Sequence, residues 1–253
     1  MQTNIIKRRE FREFYEKYIT KTPLKYQKRI HKDQGNSKVE LMFPLEDFHI
    51  YNQGNNKEMI FHDRHDRQKF INEIKQYLEP VAYVYCYSLL FNHFHLVIKI
   101  KSRDKILQLI DKDEDVAKFA QKFIDAGKSK AYIAARIVSE KLRLFFSKYA
   151  SYFNRKYDRT GSLFKKGYKR RRISSPMYLR NCIVYVNTNV THHNPRISFK
   201  DYEWCSYNDF LNPNYIKDLN KRYFDFYGLF GDIENFIYLH ERKDIDHNLY
   251  QID

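Results

Sequence analysis

The sequence predicts an α+β protein, an antiparallel sheet with helices packed mainly on one face. Three observations predict it. Apolar and polar residues alternate with a period of two along 93–100, as in a half-exposed strand. Apolar residues recur every three or four positions along 64–78 and 132–157, as in amphipathic helices. Strand-like segments are joined by single helices or short turns, in the order β-α-β-β-α-β-α.

The elements follow in order. A strand over 41–51 ends at Asn52-Gln53-Gly54-Asn55-Asn56, a strong turn signal. A helix over 64–78 sets Phe70, Ile74, Tyr77 and Leu78 on one side, and Pro80 ends it. Strands over 81–90 and 93–100 flank a reversal at Phe91-Asn92. The acidic run 111–115 reads as a solvated loop or helix end. A long helix over 132–157 aligns Val138, Leu142, Phe145, Tyr149 and Tyr152, and Arg159-Thr160-Gly161 breaks it. A basic strand over 164–173 follows. Ser174 or Ser175 then caps a helix whose first turn holds Pro176 and which runs to Val190 or His192. The β-branched residues at 183–191 make a strand the competing reading there. Short helices are expected around 215–227 and 233–240. The whole reads as a ferredoxin- or RRM-like sheet over 41–210, with a basic N-terminal extension over 1–40 and a helical tail over 211–253. A short helix over 5–18 and a loop over 33–38 are expected in the extension.

Composition narrows the function. The chain has 253 residues, 43% hydrophobic, with only 7 Gly and 6 Pro, which leaves little room for flexible linkers. Its net charge is +15, and 141–180 holds 13 Lys/Arg against one acid, Asp158. So focused an excess points to a polyanion. No apolar run of bilayer length and no signal-peptide core are evident, so no membrane partner is expected. Three cysteines without metal-ligand spacing argue against disulfides and a structural zinc site, and suit a reducing cytoplasm.

The sharpest feature is Asn92-His93-Phe94-His95-Leu96-Val97-Ile98-Lys99-Ile100. On a strand, Phe94, Leu96, Ile98 and Ile100 share one wholly apolar face, and His93 and His95 lie side by side on the other, able to converge on a metal ion. In the helix that follows Pro176, Leu179, Ile183, Val186 and Val190 make an apolar stripe. Tyr185 and Asn189, four residues apart, share another side. If that side faces the histidines, Asn189 completes a metal shell and Tyr185 presents a nucleophilic hydroxyl beside it. Arg155, Lys156, Arg159, Lys165, Lys166, Lys169, Arg170, Arg171, Arg172 and Arg180 would neutralise phosphates, with Tyr157, Phe164 or Tyr168 stacking on unpaired bases.

These residues together resemble the HUH transposases, in particular the REP-associated tyrosine transposase branch. Asn92 to Ile98 is similar to that family's Asn-His-hydrophobic-His strand. Asn154 to Phe164 with Lys165 to Arg172 resembles its Gly-x-Leu-Phe and basic-strand segment, Tyr185 and Asn189 its Tyr-x-x-x-Asn helix, and Tyr202 to Tyr207 its Trp-Ser-Ser-Tyr stretch. Phe91 and Val190 stand where the family usually has proline. The resemblance covers about residues 45–210 and implies an HUH transposase/endonuclease domain. It implies Mg²⁺ or Mn²⁺ held by His93, His95 and Asn189, with His192 or His193 as alternative third ligands. Tyr185 would attack single-stranded DNA beside a hairpin, giving a 5′-phosphotyrosine and a free 3′ hydroxyl. The protein would act as a monomer or homodimer. The competing expectation is a non-catalytic DNA- or RNA-hairpin-binding protein on the same scaffold.

Overall fold

The computed structural model describes residues 41–242. The expected N-terminal extension, with its helix over 5–18 and loop over 33–38, lies outside the described residues, as does the end of the tail.

Four strands form one antiparallel sheet: β1 (Asp47–Gln53), β2 (Ala82–Leu89), β3 (His93–Ile100) and β4 (Lys169–Ile173). Their spatial order is β2-β3-β1-β4. Helix α1 (Arg64–Glu73), which continues as a π-helical turn over Ile74–Leu78, connects β1 to β2. Helices α2 (Arg103–Leu107), α3 (Glu114–Asp125) and α4 (Lys130–Lys156) connect β3 to β4. This is the βαββαβ arrangement of the ferredoxin-like α+β class.

Local chemistry explains the elements. Asp63 caps α1 by accepting from the Asp66 backbone N–H, and the Asp66 side chain returns the bond. On β1 and β3 the alternation is strict. Phe48 and Ile50, with Phe94, Leu96, Ile98 and Ile100, pack on Phe70 and Ile74 of the first connection and on Leu142, Phe145 and Tyr149 of α4. Burying each such side chain is worth about 1.5–3 kcal/mol, so this layer sets the register.

The helices are not confined mainly to that face. Helix α5 (Pro176–His193) crosses the opposite face of the sheet. Behind it lie α6 (Tyr207–Phe210), α7 (Pro213–Asn220), α8 (Phe226–Phe230) and α9 (Ile233–Glu241). The physical reason is a second apolar layer. Val97 of β3, Tyr85 and Cys86 of β2 and Ile173 of β4 need cover, and Ile183, Val186 and Val190 of α5 provide it. A register shift in β2 between Val84 and Cys86 interrupts its alternation against β3, and Tyr85 and Cys86 are both buried in that layer. Tyr185 and Asn189 lie on the side of α5 turned to the sheet. The segment 178–190 is therefore a helix despite its β-branched residues: Ser175 Oγ accepts from the Tyr178 N–H at 3.2 Å, and Pro176 occupies the first turn.

In the third connection one expectation holds and one is revised. The acidic run 111–115 is partly a helix start, because Asp113 caps α3 by accepting from the backbone of Asp115 and Val116. The basic strand is shorter than expected. Only Lys169–Ile173 pairs with β1, and Phe164 makes a single bridge to Gly54.

Candidate metal and nucleophile site

The two central strands, β1 and β3, build the floor of the site. Tyr51 pairs with His95 and Gln53 with His93 across the ladder, so His49, Tyr51, His93 and His95 share the face under α5. Their rings form a cluster. His93 and His95 are 5.2 Å apart edge to face, and His95 stacks on both His49 (5.1 Å) and Tyr51 (5.9 Å). From above, Tyr185 meets His95 edge-on at 5.5 Å and His49 at 6.0 Å.

The Nδ1 atom of each strand histidine has a named partner. Asn92 Nδ2 donates to the Lys57 carbonyl at 3.2 Å, which turns its Oδ1 toward His93 Nδ1 at 2.7 Å. With Nδ1 protonated in that bond, His93 Nε2 carries a lone pair and sits 3.3 Å from Asn189 Oδ1. An imidazole lone pair facing a carbonyl oxygen is repulsive, and a second ring proton, an Asn189 amide turned to present Nδ2, or a cation bonded to both atoms each relieves it. His95 Nδ1 is 2.9 Å from His49 Nε2. Its other nitrogen, Nε2, is buried without a protein partner, as is Asn189 Nδ2. Burial, then the neighbouring His49, His93 and His193, pushes the His95 pKa well below the ordinary imidazole value. His49 is pushed down to about 3 by burial and then by Arg171. Both rings are thus neutral at pH 7 and keep lone pairs for bonding.

This donor set fits a divalent cation: two imidazole nitrogens and one amide oxygen, with orphaned polar atoms beside them. Among the described residues no group of three His, Cys, Asp or Glu side chains is placed to hold a metal ion. His193 stands 4.6 Å from the His93 ring, edge to face, and both His192 and His193 line the cleft beyond it.

That cleft has a volume of about 660 Å³ and is lined by His93, His95, Tyr185 and the lysines Lys165, Lys166 and Lys169. The lysine segment is pinned to the end of β1. The Lys165 N–H donates to the Gln53 carbonyl at 2.9 Å, and Asn52 Nδ2 donates to the Lys165 carbonyl at 3.3 Å. Gly167 turns the chain back with φ of +77°, a conformation that disfavours any side chain.

The expected basic set therefore divides. Lys165, Lys166 and Lys169 face the cleft. Lys156 is bonded to Asp63 (2.8 Å) and Asp66 (2.7 Å), Arg159 to Glu58, and Arg172 to Glu46 (3.2 Å). Arg170 donates to the Tyr168 hydroxyl at 2.9 Å, and Tyr168 stacks on Phe146 at 5.0 Å. Arg171 lies on the site face, paired with His49 across the ladder and close to Tyr178. Arg180 reaches Asn181 at 3.5 Å, and Arg155 is exposed on the last turn of α4. Sequence reasoning missed His49, Tyr51 and Asn92 as site residues. The signal was present in β1, where Asp47, His49, Tyr51 and Gln53 alternate against Phe48 and Ile50.

A sheet carrying paired histidines beneath a helix-borne tyrosine, beside a lysine-lined cleft, defines the site. No family model matches the sequence, and no curated protein matches it. In fold the chain is similar to a solved structure described as "Structure of the REP associates tyrosine transposase bound to a REP hairpin". The alignment covers 72% of this chain and 87% of that one, with a TM-score of 0.44 and 9% identity. A similarity of that size stands beside the geometry and adds no weight to it. No helix among the described residues is long and apolar enough to cross a membrane.

Proposed function

We propose that the protein is a metal-dependent single-strand DNA endonuclease and strand transferase that acts beside hairpins through Tyr185. One observation carries this reading. His93 Nε2 lies 3.3 Å from Asn189 Oδ1, the His93 and His95 rings are 5.2 Å apart, and Tyr185 meets His95 edge-on at the wall of a cleft lined by Lys57, Lys165, Lys166 and Lys169.

His93, His95 and Asn189 would hold Mn²⁺ or Mg²⁺, and such an ion polarises a bound phosphate and offsets the negative charge that builds on it. With no carboxylate in the set, Mn²⁺ suits it better than Mg²⁺. Lys165, Lys166 and Lys169 hold the flanking phosphates of a single strand. The Tyr185 hydroxyl oxygen attacks phosphorus, the P–O3′ bond breaks, and the tyrosine proton ends on the released 3′ hydroxyl. The products are a 5′-phosphotyrosine and a free 3′ end. The phosphotyrosine keeps the energy of the cleaved diester. A second 3′ hydroxyl can therefore displace the tyrosine and rejoin a strand without another cofactor.

Incubation with hairpin-bearing single-stranded DNA and Mn²⁺ tests this. The wild type is expected to form a denaturant-resistant adduct and Tyr185→Phe to form none while still binding the DNA. A normal adduct yield in Tyr185→Phe would overturn the assignment. A second reading, a non-catalytic hairpin-binding protein, draws on the burial of Tyr185, which is 2% exposed. It predicts DNA binding with no adduct from wild type under any metal.

A further inference from the structure

His49 sits at the centre of the sheet, 1% exposed, with Val97 of β3 and Arg171 of β4 as its ladder neighbours. Its neighbours along β1, Phe48 and Ile50, belong to the opposite core. On its own face Val97, Ile173 and Cys182 form an apolar layer in which a hydrocarbon side chain would be the simple choice. A buried imidazole there costs desolvation unless its nitrogens are used. One nitrogen has a defined use: Nε2 lies 2.9 Å from His95 Nδ1, with the two rings stacked at 27°.

One proton lies in the 2.9 Å bond between the two imidazoles, and its position decides what His95 offers the cleft. If His49 Nε2 carries it, His95 Nδ1 accepts, His95 Nε2 becomes an N–H and no metal can bind there. If His95 Nδ1 carries it, His49 accepts and His95 Nε2 presents a lone pair to the cleft. His95 Nε2 is the buried atom without a protein partner, on the side of the ring away from His49. His93 has an equivalent device, since Asn92 Oδ1 can only accept and so holds the His93 proton on Nδ1. Each strand histidine thus has a separate partner on its Nδ1 side, and His95 Nε2 is left without a protein partner.

We infer that His49 is a positioning residue, the acceptor that fixes the ring orientation and Nδ1–H tautomer of His95 so that its Nε2 can bind a divalent cation. The inference rests on the metal reading proposed above and adds to it the residue that prepares one ligand. Hydrogen bonds of this kind to a ligating histidine are worth roughly 10–100-fold in metal affinity. His49 Nε2 is already engaged by His95 Nδ1 and is not offered as a ligand.

The test uses the full chain without DNA, with Mn²⁺ as the probe. Nitrogen-15 NMR of the metal-free wild type reads the tautomer directly, and the expected result is a protonated Nδ1 and an unprotonated Nε2 on His95. A protonated Nε2 would overturn the proposal without any variant. Mn²⁺ titration followed by electron paramagnetic resonance should show a Kd about 10–100-fold weaker in His49→Leu. His49→Gln, whose amide oxygen can accept the same proton, should recover most of that loss. A purely structural role predicts the reverse: Leu tolerated in the apolar layer and Gln damaging. Wild-type Mn²⁺ affinity in His49→Leu would overturn the role of His49 alone. A wild type that binds no Mn²⁺ would overturn the metal reading and this proposal together. If His49→Leu does not fold, the wild-type tautomer and the Gln titration decide.

Discussion

Asn189 is wholly buried, yet its amide nitrogen has no partner, while its oxygen lies 3.3 Å from His93 Nε2. An asparagine in that position is expensive without a ligand. Asn189→Leu should therefore weaken Mn²⁺ binding at least tenfold while the metal-free protein unfolds at a similar or higher temperature. Calorimetric titration together with a thermal melt reads both effects, and unchanged Mn²⁺ binding would remove Asn189 from the shell. The lysines act differently. Lys165→Ala and Lys166→Ala should each lower the slope of log affinity against log salt by roughly 0.7 to 1, as for single-strand phosphate contacts. Fluorescence anisotropy at several salt concentrations checks this. The same substitution at Lys156, already paired with Asp63 and Asp66, should leave the slope unchanged and cost stability instead.

At the scale of elements, what was legible depended on how many forces agreed. β3 ran over 93–100 as expected, because an unbroken apolar alternation and a short reversal at Phe91-Asn92 both demand it. Helix α5 was legible from its cap and its Pro176, which outweighed the β preference of Val184, Val186 and Val190. Ser175→Ala should cost about 1 kcal/mol of stability by chemical denaturation, as expected for a helix N-cap. The partner of the histidine pair was not legible. The alternation of β1 puts His49 on the polar face, but its contact with His95 spans 46 residues and arises only from the register of β1 on β3. The basic block was legible as charge but not as geometry. Acids at Glu46, Glu58, Asp63 and Asp66, far off in sequence, claim three of its members.

On the scale of the molecule, two cores clasp the sheet, and the second joins the C-terminal helices to the site. Asn187, on α5, accepts from Ser206 Oγ at 2.8 Å and its amide nitrogen is 3.1 Å from His240 Nε2 on α9. His240 donates through Nδ1 to the Phe236 carbonyl at 2.7 Å, so Nε2 accepts from Asn187. Burial pushes the His240 pKa down to about 4. Unfolded, it returns to about 6.5. Between those values the unfolded chain binds the extra proton, so stability is full above pH 6.5 and falls as pH drops toward 4. The loss from this residue is on the order of 3 kcal/mol. His49, down to about 3, adds in the same direction. Denaturant unfolding from pH 7 to 4.5 should show this decline, and His240→Leu should make it shallower. An unchanged slope would mean that His240 does not titrate on unfolding. Helices α8 and α9 thus share a core with the tyrosine helix and with Tyr185.

The most direct measurement of the central claim is mass spectrometry of the protein after reaction with a hairpin-bearing single strand and Mn²⁺. The account predicts one nucleotide-modified tryptic peptide, spanning Asn181 to Arg196, with the 5′ phosphate on Tyr185. A phosphate on another residue, or DNA cut without any modified peptide, would contradict it.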